Sequence, residues 1–263
     1  MATVEGNKKL WDRSYGWPRE GQEWSDLWGG SDSQWYRTIF PRICRFIPTG
    51  TILEIAPGFG RWSHYLKNYC DHLILVDLSE KCIQACKNKF SSFQHISCHV
   101  NDGKSLAMVE DHSVDFVFCF DSLVHVEEDV IRAYLEQLAK KLKKNGAGFF
   151  HHSNLGEYEA YFRFTAKLPA WKTFLWKLGL IDYNRGARAL DMTASRFLRC
   201  VEKAGLSCIS QEKINWKSKR MTDCISVFTQ KNSTFDSRNK ALENKDFMKE
   251  AEYARKLSSV YGK

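Results

Sequence analysis

Residues 51–60, TILEIAPGFG, decide the fold. The run TILEIA reads as a short buried strand, and Pro57, Gly58 and Gly60 turn the chain sharply at its end. Working outward, RWSHYLKNY (61–69) reads as a helix and HLILVDL (72–78) as a second strand. SEKCIQACKNKF (79–90) is a second helix with Ser79 as its N-cap. HISCHV (95–100) is a third strand. VDFVFCFD (114–121) is a fourth, almost wholly apolar, as a central parallel strand covered on both faces must be. EEDVIRAYLEQLAKKLKK (127–144) has acids at its start and bases at its end, which suits a helix dipole, and Asn145-Gly146 stops it. GAGFFHH (146–152) is a fifth strand and TASRFLRCVEKAG (193–205) another helix. LSCISQEKINW (206–216) and DCISVFTQ (223–230) form a hairpin-like pair. The alternation predicts an α/β fold: a seven-stranded, mostly parallel sheet with helices on both faces and an antiparallel last strand.

Upstream, Trp11, Trp17, Trp24, Trp28 and Trp35 are spaced without helical or strand period, so residues 1–50 are expected to form an irregular aromatic cap, with a helix near 33–47. The main domain is expected over 51–230, with a lid insert at 153–190 where the rhythm breaks. Residues 231–263 read as a charged tail, a loop and a solvated helix.

Composition narrows the function classes. The chain has 263 residues, is 43% hydrophobic and 27% charged, and contains no apolar run long enough for a transmembrane helix. The opening MATVEGNKKLWDRSYG has no apolar core, so a secretory signal is not expected and a cytoplasmic location is. Nine cysteines without a C-x-x-C pair suggest buried free thiols rather than disulfides or a zinc ribbon. Charge is uneven: 13 basic against 18 acidic residues in 1–130, then 26 against 13 in 131–263. The basic half permits an anionic acceptor, RNA or a membrane surface, while nothing points to DNA.

Glycines 58 and 60 let backbone approach a ligand at a helix start. G-x-G alone is common in tight turns. Asp77 lies 17 residues past Gly60, at the end of the second strand, where a carboxylate can accept from both ribose hydroxyls. Asp102, after the third strand, can accept from an adenine amino group. A dinucleotide site would need G-x-G-x-x-G, but Ser63 stands at the third glycine, and Glu54 would repel a pyrophosphate. Glu54 instead suits a ligand with a sulfonium and an ammonium group, as in S-adenosylmethionine.

With ILEIAPGFG, LVDLSE, VNDGKSL and VDFVFCFDSLVHV in this order, residues 51–229 resemble a class I S-adenosylmethionine-dependent methyltransferase, Rossmann-like in fold. Among that family they look most like stand-alone bacterial enzymes acting on sugars and other small molecules. Ala56-Pro57 departs from the family's frequent Gly-x, but alanine is small enough for the turn. The resemblance implies that Glu54, Ala56, Gly58 and Gly60 line the methionine part, that Asp77 and Leu78 hold the ribose and flank the adenine, that Asp102 and Gly103 read its edge, and that Phe120 and Asp121 lie beside the sulfonium.

A hydroxyl acceptor needs a base, and histidine titrates in the right range. His125, after the fourth strand, and His151 and His152, ending the fifth, lie near strand ends where open sheets bind ligands. Alternation along a strand sends at most one of the last two into the cleft. His125 can equally cap the following helix. Asp121, His125 and His152 show no spacing that compels a metal, so none is expected. Trp24, Trp28, Trp35, Tyr158, Arg163 and Arg185 are candidate acceptor contacts, since aromatic rings and guanidinium groups grip sugar faces and anions; packing within the lid would serve them equally. KLPAWKTFLWKLGLI (167–181) is expected as an amphipathic lid helix over the cleft, or as a surface facing a lipid-linked glycan. The leading expectation is O-methylation of a sugar, glycan or other small molecule. The alternatives are an RNA methyltransferase, disfavoured because FDSL replaces N/D-P-P-Y and no RNA-binding module is appended, and an inactive cofactor-binding subunit.

Overall fold

A computed structural model describes residues 3–184 and 187–261. Its sheet contains β1 (Thr49–Ile55), β2 (Cys70–Asp77), β3 (Ile96–Val100), β4 (Val114–Cys119), β5 (Leu142–Ser153), β6 (Leu206–Ile214), β7 (Asp223–Gln230) and β8 (Lys240–Asn244), in spatial order β3-β2-β1-β4-β5-β7-β6-β8. The α/β architecture is the expected one, and β7 runs antiparallel to both β5 and β6. An eighth strand is added: β8 pairs parallel with β6 at the edge.

Two apolar layers sandwich the sheet because successive side chains on the central strands point to opposite faces. Ile52, Phe116, Phe118 and Phe149 pack with Trp28, Trp35 and Phe247 on one face. Leu53, Val117, Cys119 and Phe150 pack on the other, against the apolar stripes of α2 (Glu128–Lys141) and α5 (Ala194–Lys203), which contribute Leu135, Leu138, Phe197 and Val201. Between them in the chain lie α3 (Glu159–Ala166) and α4 (Lys172–Lys177); α1 (Glu80–Lys89) precedes them and α6 (Phe247–Tyr261) follows.

The described part of the expected tail, residues 231–261, is more than a solvated appendage. Phe247 of α6 is fully buried, its ring 5.7 Å from that of Trp216 and 6.1 Å from that of Trp28. Arg42 binds both carboxylate oxygens of Glu212 at 2.7 Å and reaches Glu250 at 3.1 Å, tying the N-terminal segment to β6 and α6. The N-terminal helix expected over 33–47 forms as consecutive short turns from Ser31 to Ile43.

The site follows from topology. The chain leaves β1 for β2 on one side, and β4 occupies the other side. A crevice opens beyond the carboxyl ends of strands at such a reversal.

Candidate active site

The turn after β1 is held in left-handed backbone. Ala56, Gly58 and Gly60 have φ of 58°, 58° and 76°. A Cβ on Gly58 would lie 2.7 Å from the Trp17 ring, and one on Gly60 would lie 2.6 Å from Phe90, so both positions need glycine for room as well as conformation. The Gly58 N–H donates to Asp77 Oδ2 at 3.1 Å, and the Ser79 N–H to Asp77 Oδ1 at 2.9 Å. Burial pushes the Asp77 carboxyl up to about 6 despite these donors.

A pocket lies beyond these strand ends. Asp77, Leu78, Ala56, Gly58 and Gly103 form one side, and Phe120, Asp121, Arg61 and Trp62 another. Asn7, Trp11, Trp17 and Trp24 of the N-terminal segment close over it. The expected Asp77, Leu78, Ala56, Gly58, Gly103, Phe120 and Asp121 thus share one cavity. Gly60 is not part of its lining.

Glu54 and Asp102 sit differently from expectation. Glu54 is 1% exposed, lies outside the pocket lining, and accepts from Ser63 Oγ at 2.5 Å. Burial pushes its carboxyl up to about 8. Ser63, at the third glycine position of a dinucleotide motif, therefore serves as a donor to this acid. Asp102 is exposed and turns its carboxylate to its own loop, accepting from the Lys104 and Ser105 N–H groups at 2.9 and 2.7 Å. Those donors hold it below the usual carboxylate range. Its neighbour Gly103, not Asp102, lines the pocket.

The three histidines separate. His152 faces the opposite side of the sheet, stacked on Phe197 at 4.2 Å, with Nε2 2.8 Å from Ser226 Oγ and Nδ1 2.9 Å from the Ser153 carbonyl. Burial pushes it down to about 3. It is a core residue on the face away from the pocket, with no open path to an acceptor. His151 faces the pocket side but is also fully buried. Its Nδ1 accepts from the Asp121 N–H at 3.1 Å, and its Nε2 lies 3.2 Å from Asp223 Oδ2. That makes it a strut between β7 and the turn after β4. Asp223 in turn takes the Arg188 guanidinium at 2.5 and 2.8 Å; burial alone would raise this carboxyl, but Arg188 and His151 hold it at about 2. His125 keeps partial solvent contact, and its ring lies 5.6 Å from Trp11, a pocket wall. Burial and the nearby Arg188 charge push it down to about 4.

Among the acceptor candidates, Trp24 lines the pocket. Trp28 and Trp35 do not: both are fully buried, Trp28 donating to Thr38 at 2.8 Å and Trp35 stacked on Tyr65 at 4.9 Å. Tyr158 accepts from the Met221 N–H at 3.4 Å, away from the pocket. Arg163 is exposed and paired with Glu159 within α3. Arg185 lies outside the described residues. No described residue of 153–190 lines the pocket, whereas Asn7, Trp11, Trp17 and Trp24 of the N-terminal segment do.

Arg61 was not singled out by sequence, and Trp17 only as one of the cap tryptophans. Arg61 is 4% exposed, 3.0 Å from Asp121 Oδ2 and 3.1 Å from Ser25 Oγ, with its guanidinium 4.4 Å from the Trp62 ring and 5.2 Å from that of Trp24. Its place directly after Gly60 was the available signal. No described group of His, Cys, Asp and Glu has the makings of a metal site.

A family model described as a methyltransferase domain matches residues 52–146. Phosphoethanolamine N-methyltransferase of Triticum aestivum is 26% identical over 117 residues, which are 43% of this chain and 23% of that protein. Phosphoethanolamine N-methyltransferase 1 of Zea mays is 27% identical over 117 residues, with the same shares. The match thus spans about a quarter of the length of these curated relatives. Among solved structures, an S-adenosylmethionine-dependent methyltransferase from Mesorhizobium loti is similar with a TM-score of 0.55 at 16% identity, covering 76% of this chain and all of that one. One from Leishmania major reaches 0.59 at 11% identity, covering 86% and 83%. These two likenesses are of fold.

Proposed function

We propose that this chain, whose residues 52–146 match a methyltransferase-domain model, is a class I S-adenosylmethionine-dependent methyltransferase that methylates a hydroxyl of a sugar, a glycan or another small molecule. The observation that carries the reading is the joint placement of Asp77, the Gly58 turn, Gly103 and Phe120-Asp121 around one pocket at the reversal of strand order.

The residues present fit the cofactor. Asp77 is a buried acceptor in the pocket lining, and the buried Nε1 of Trp62, also in the lining, has no hydrogen-bond partner among the described residues. When bound, S-adenosylmethionine supplies an electrophilic methyl group on a sulfonium. Asp77 would hold the ribose, Leu78 and Gly103 would flank the adenine, and Ala56, Gly58 and the acid Glu54 behind them would hold the methionine part. Asp102 would act by shaping the Gly103 loop. The tryptophans of residues 1–50 would exclude water and hold the acceptor face, with Trp24 and Arg61 as its contacts. His125, neutral in the ordinary pH range, would take the hydroxyl proton; His151 would position Asp121. Residues 51–230 would form the catalytic domain and 1–50 its cap.

A second reading, an amino acceptor, is favoured by the relatives named as phosphoethanolamine N-methyltransferases. The test is transfer of labelled methyl from S-adenosylmethionine to a panel of sugars and small amines, with product mass spectrometry. Methyl ethers support the hydroxyl reading; methylated amines alone overturn it.

A further inference from the structure

The excursion between β5 and α5 carries a surface that the pocket does not use. α4 buries none of its residues. Around it, Phe164, Trp171, Phe174, Leu178 and Leu180 are 64, 53, 62, 56 and 67% exposed, five large apolar side chains in 17 residues. Soluble surfaces rarely concentrate apolar area in this way without a partner. The same stretch is basic. Residues 160–181 contain Arg163, Lys167, Lys172 and Lys177 and no acid. Arg163 is compensated by Glu159, but among the described residues none of the three lysines pairs with a carboxylate.

We propose that residues 164–180 are a peripheral docking surface for an anionic lipid bilayer. Aromatic and leucine side chains interleaved with lysines satisfy both layers of such a surface: rings and leucines enter the acyl boundary, and ammonium groups meet anionic headgroups. A second copy of this chain is the poorer occupant, because a two-fold contact would set the lysines against their own symmetry mates. Among the described residues no helix is long and apolar enough to cross a membrane, so the contact is peripheral. The excursion leaves from the carboxyl end of β5, the sheet edge that also carries the pocket, so docking would bring that edge toward the lipid.

The experiment is co-sedimentation of the full-length chain with vesicles of phosphatidylcholine alone and of phosphatidylcholine mixed equally with phosphatidylglycerol. The expected result is pelleting with the anionic vesicles only, reversed by high salt. Lys167→Gln with Lys177→Gln should lower the partition coefficient about 30-fold, and Trp171→Ser with Phe174→Ser at least about tenfold. Both pairs should keep cofactor affinity unchanged, which controls for folding. Three results would overturn the proposal: no pelleting with either vesicle, equal pelleting with both, or a concentration-dependent dimer that the Trp171→Ser, Phe174→Ser pair dissolves without any vesicle association.

Discussion

Glu54 is a buried acid that works against the fold holding it. Its carboxyl is raised from the ordinary 4.5 to about 8 by burial. Between those values the unfolded chain gives up the proton and the folded chain keeps it. The contribution of Glu54 to stability is therefore complete below about pH 4.5 and is lost as pH rises through 8. Glu54→Gln, which can still accept from Ser63, should melt at the wild-type temperature near pH 4.5 and on the order of a few degrees higher at pH 8. If Glu54 also holds the cationic end of the cofactor, the same variant should bind S-adenosylmethionine more weakly, a stability gain at the expense of function. Equal melting curves at both pH values would reject the buried-acid account. The sequence showed Glu54 and Asp77 as a pair of strand-end acids. It did not show that Asp102 would spend its carboxylate on its own loop, because an Asx turn and a ligand contact draw on the same residue type in the same place.

The paired ends of β4, β5 and β7 form a unit in which Arg188, Asp223, His151 and the Asp121 backbone are joined by hydrogen bonds. Asp223→Ala leaves the partly buried Arg188 and the buried His151 without their partner and should cost about 3–5 kcal/mol in urea unfolding; a cost below about 1 kcal/mol would show that Arg188 finds compensation elsewhere. The histidines should divide kinetically. His125→Ala should lower kcat on a hydroxyl acceptor by about 10²-fold or more. Since His125 is pushed down to about 4, the wild-type base stays neutral, and the acid limb of kcat should fall near pH 4 rather than near 6.5. His151→Gln should keep that limb, because His151 accepts from the Asp121 N–H and is not the proposed base. Full turnover by His125→Ala would reject it as the base. Alternation had predicted that only one of His151 and His152 faces the cleft, and the side chains do lie on opposite faces. Which one could not be read from sequence, since the two strand residues before the pair, Phe149 and Phe150, are both apolar and mark neither face as the core.

At the scale of the molecule, the parallel strands and reversed β7 were legible because buried strands announce themselves as apolar runs. β8 was not: four of its five residues are exposed, so no hydrophobic pattern marks it. The integration of α6 was hidden for the same reason, as its hold depends on a few residues such as Phe247. Phe247→Ala should cost about 3–5 kcal/mol, measured by urea unfolding; a loss below about 1 kcal/mol would return residues 231–263 to the status of a solvated appendage. The tryptophan cap was foreseen as a cover, yet its members divide between pocket and core by depth, which irregular spacing does not encode. The central claim is that one pocket, floored by Asp77 and the Gly58 turn and roofed by the cap, holds S-adenosylmethionine. Calorimetric titration of the full chain and of Asp77→Ala with that cofactor tests it most directly. The account predicts one site per chain and an affinity at least about tenfold weaker in the variant; no binding by the wild type, or equal affinity in both, would contradict it.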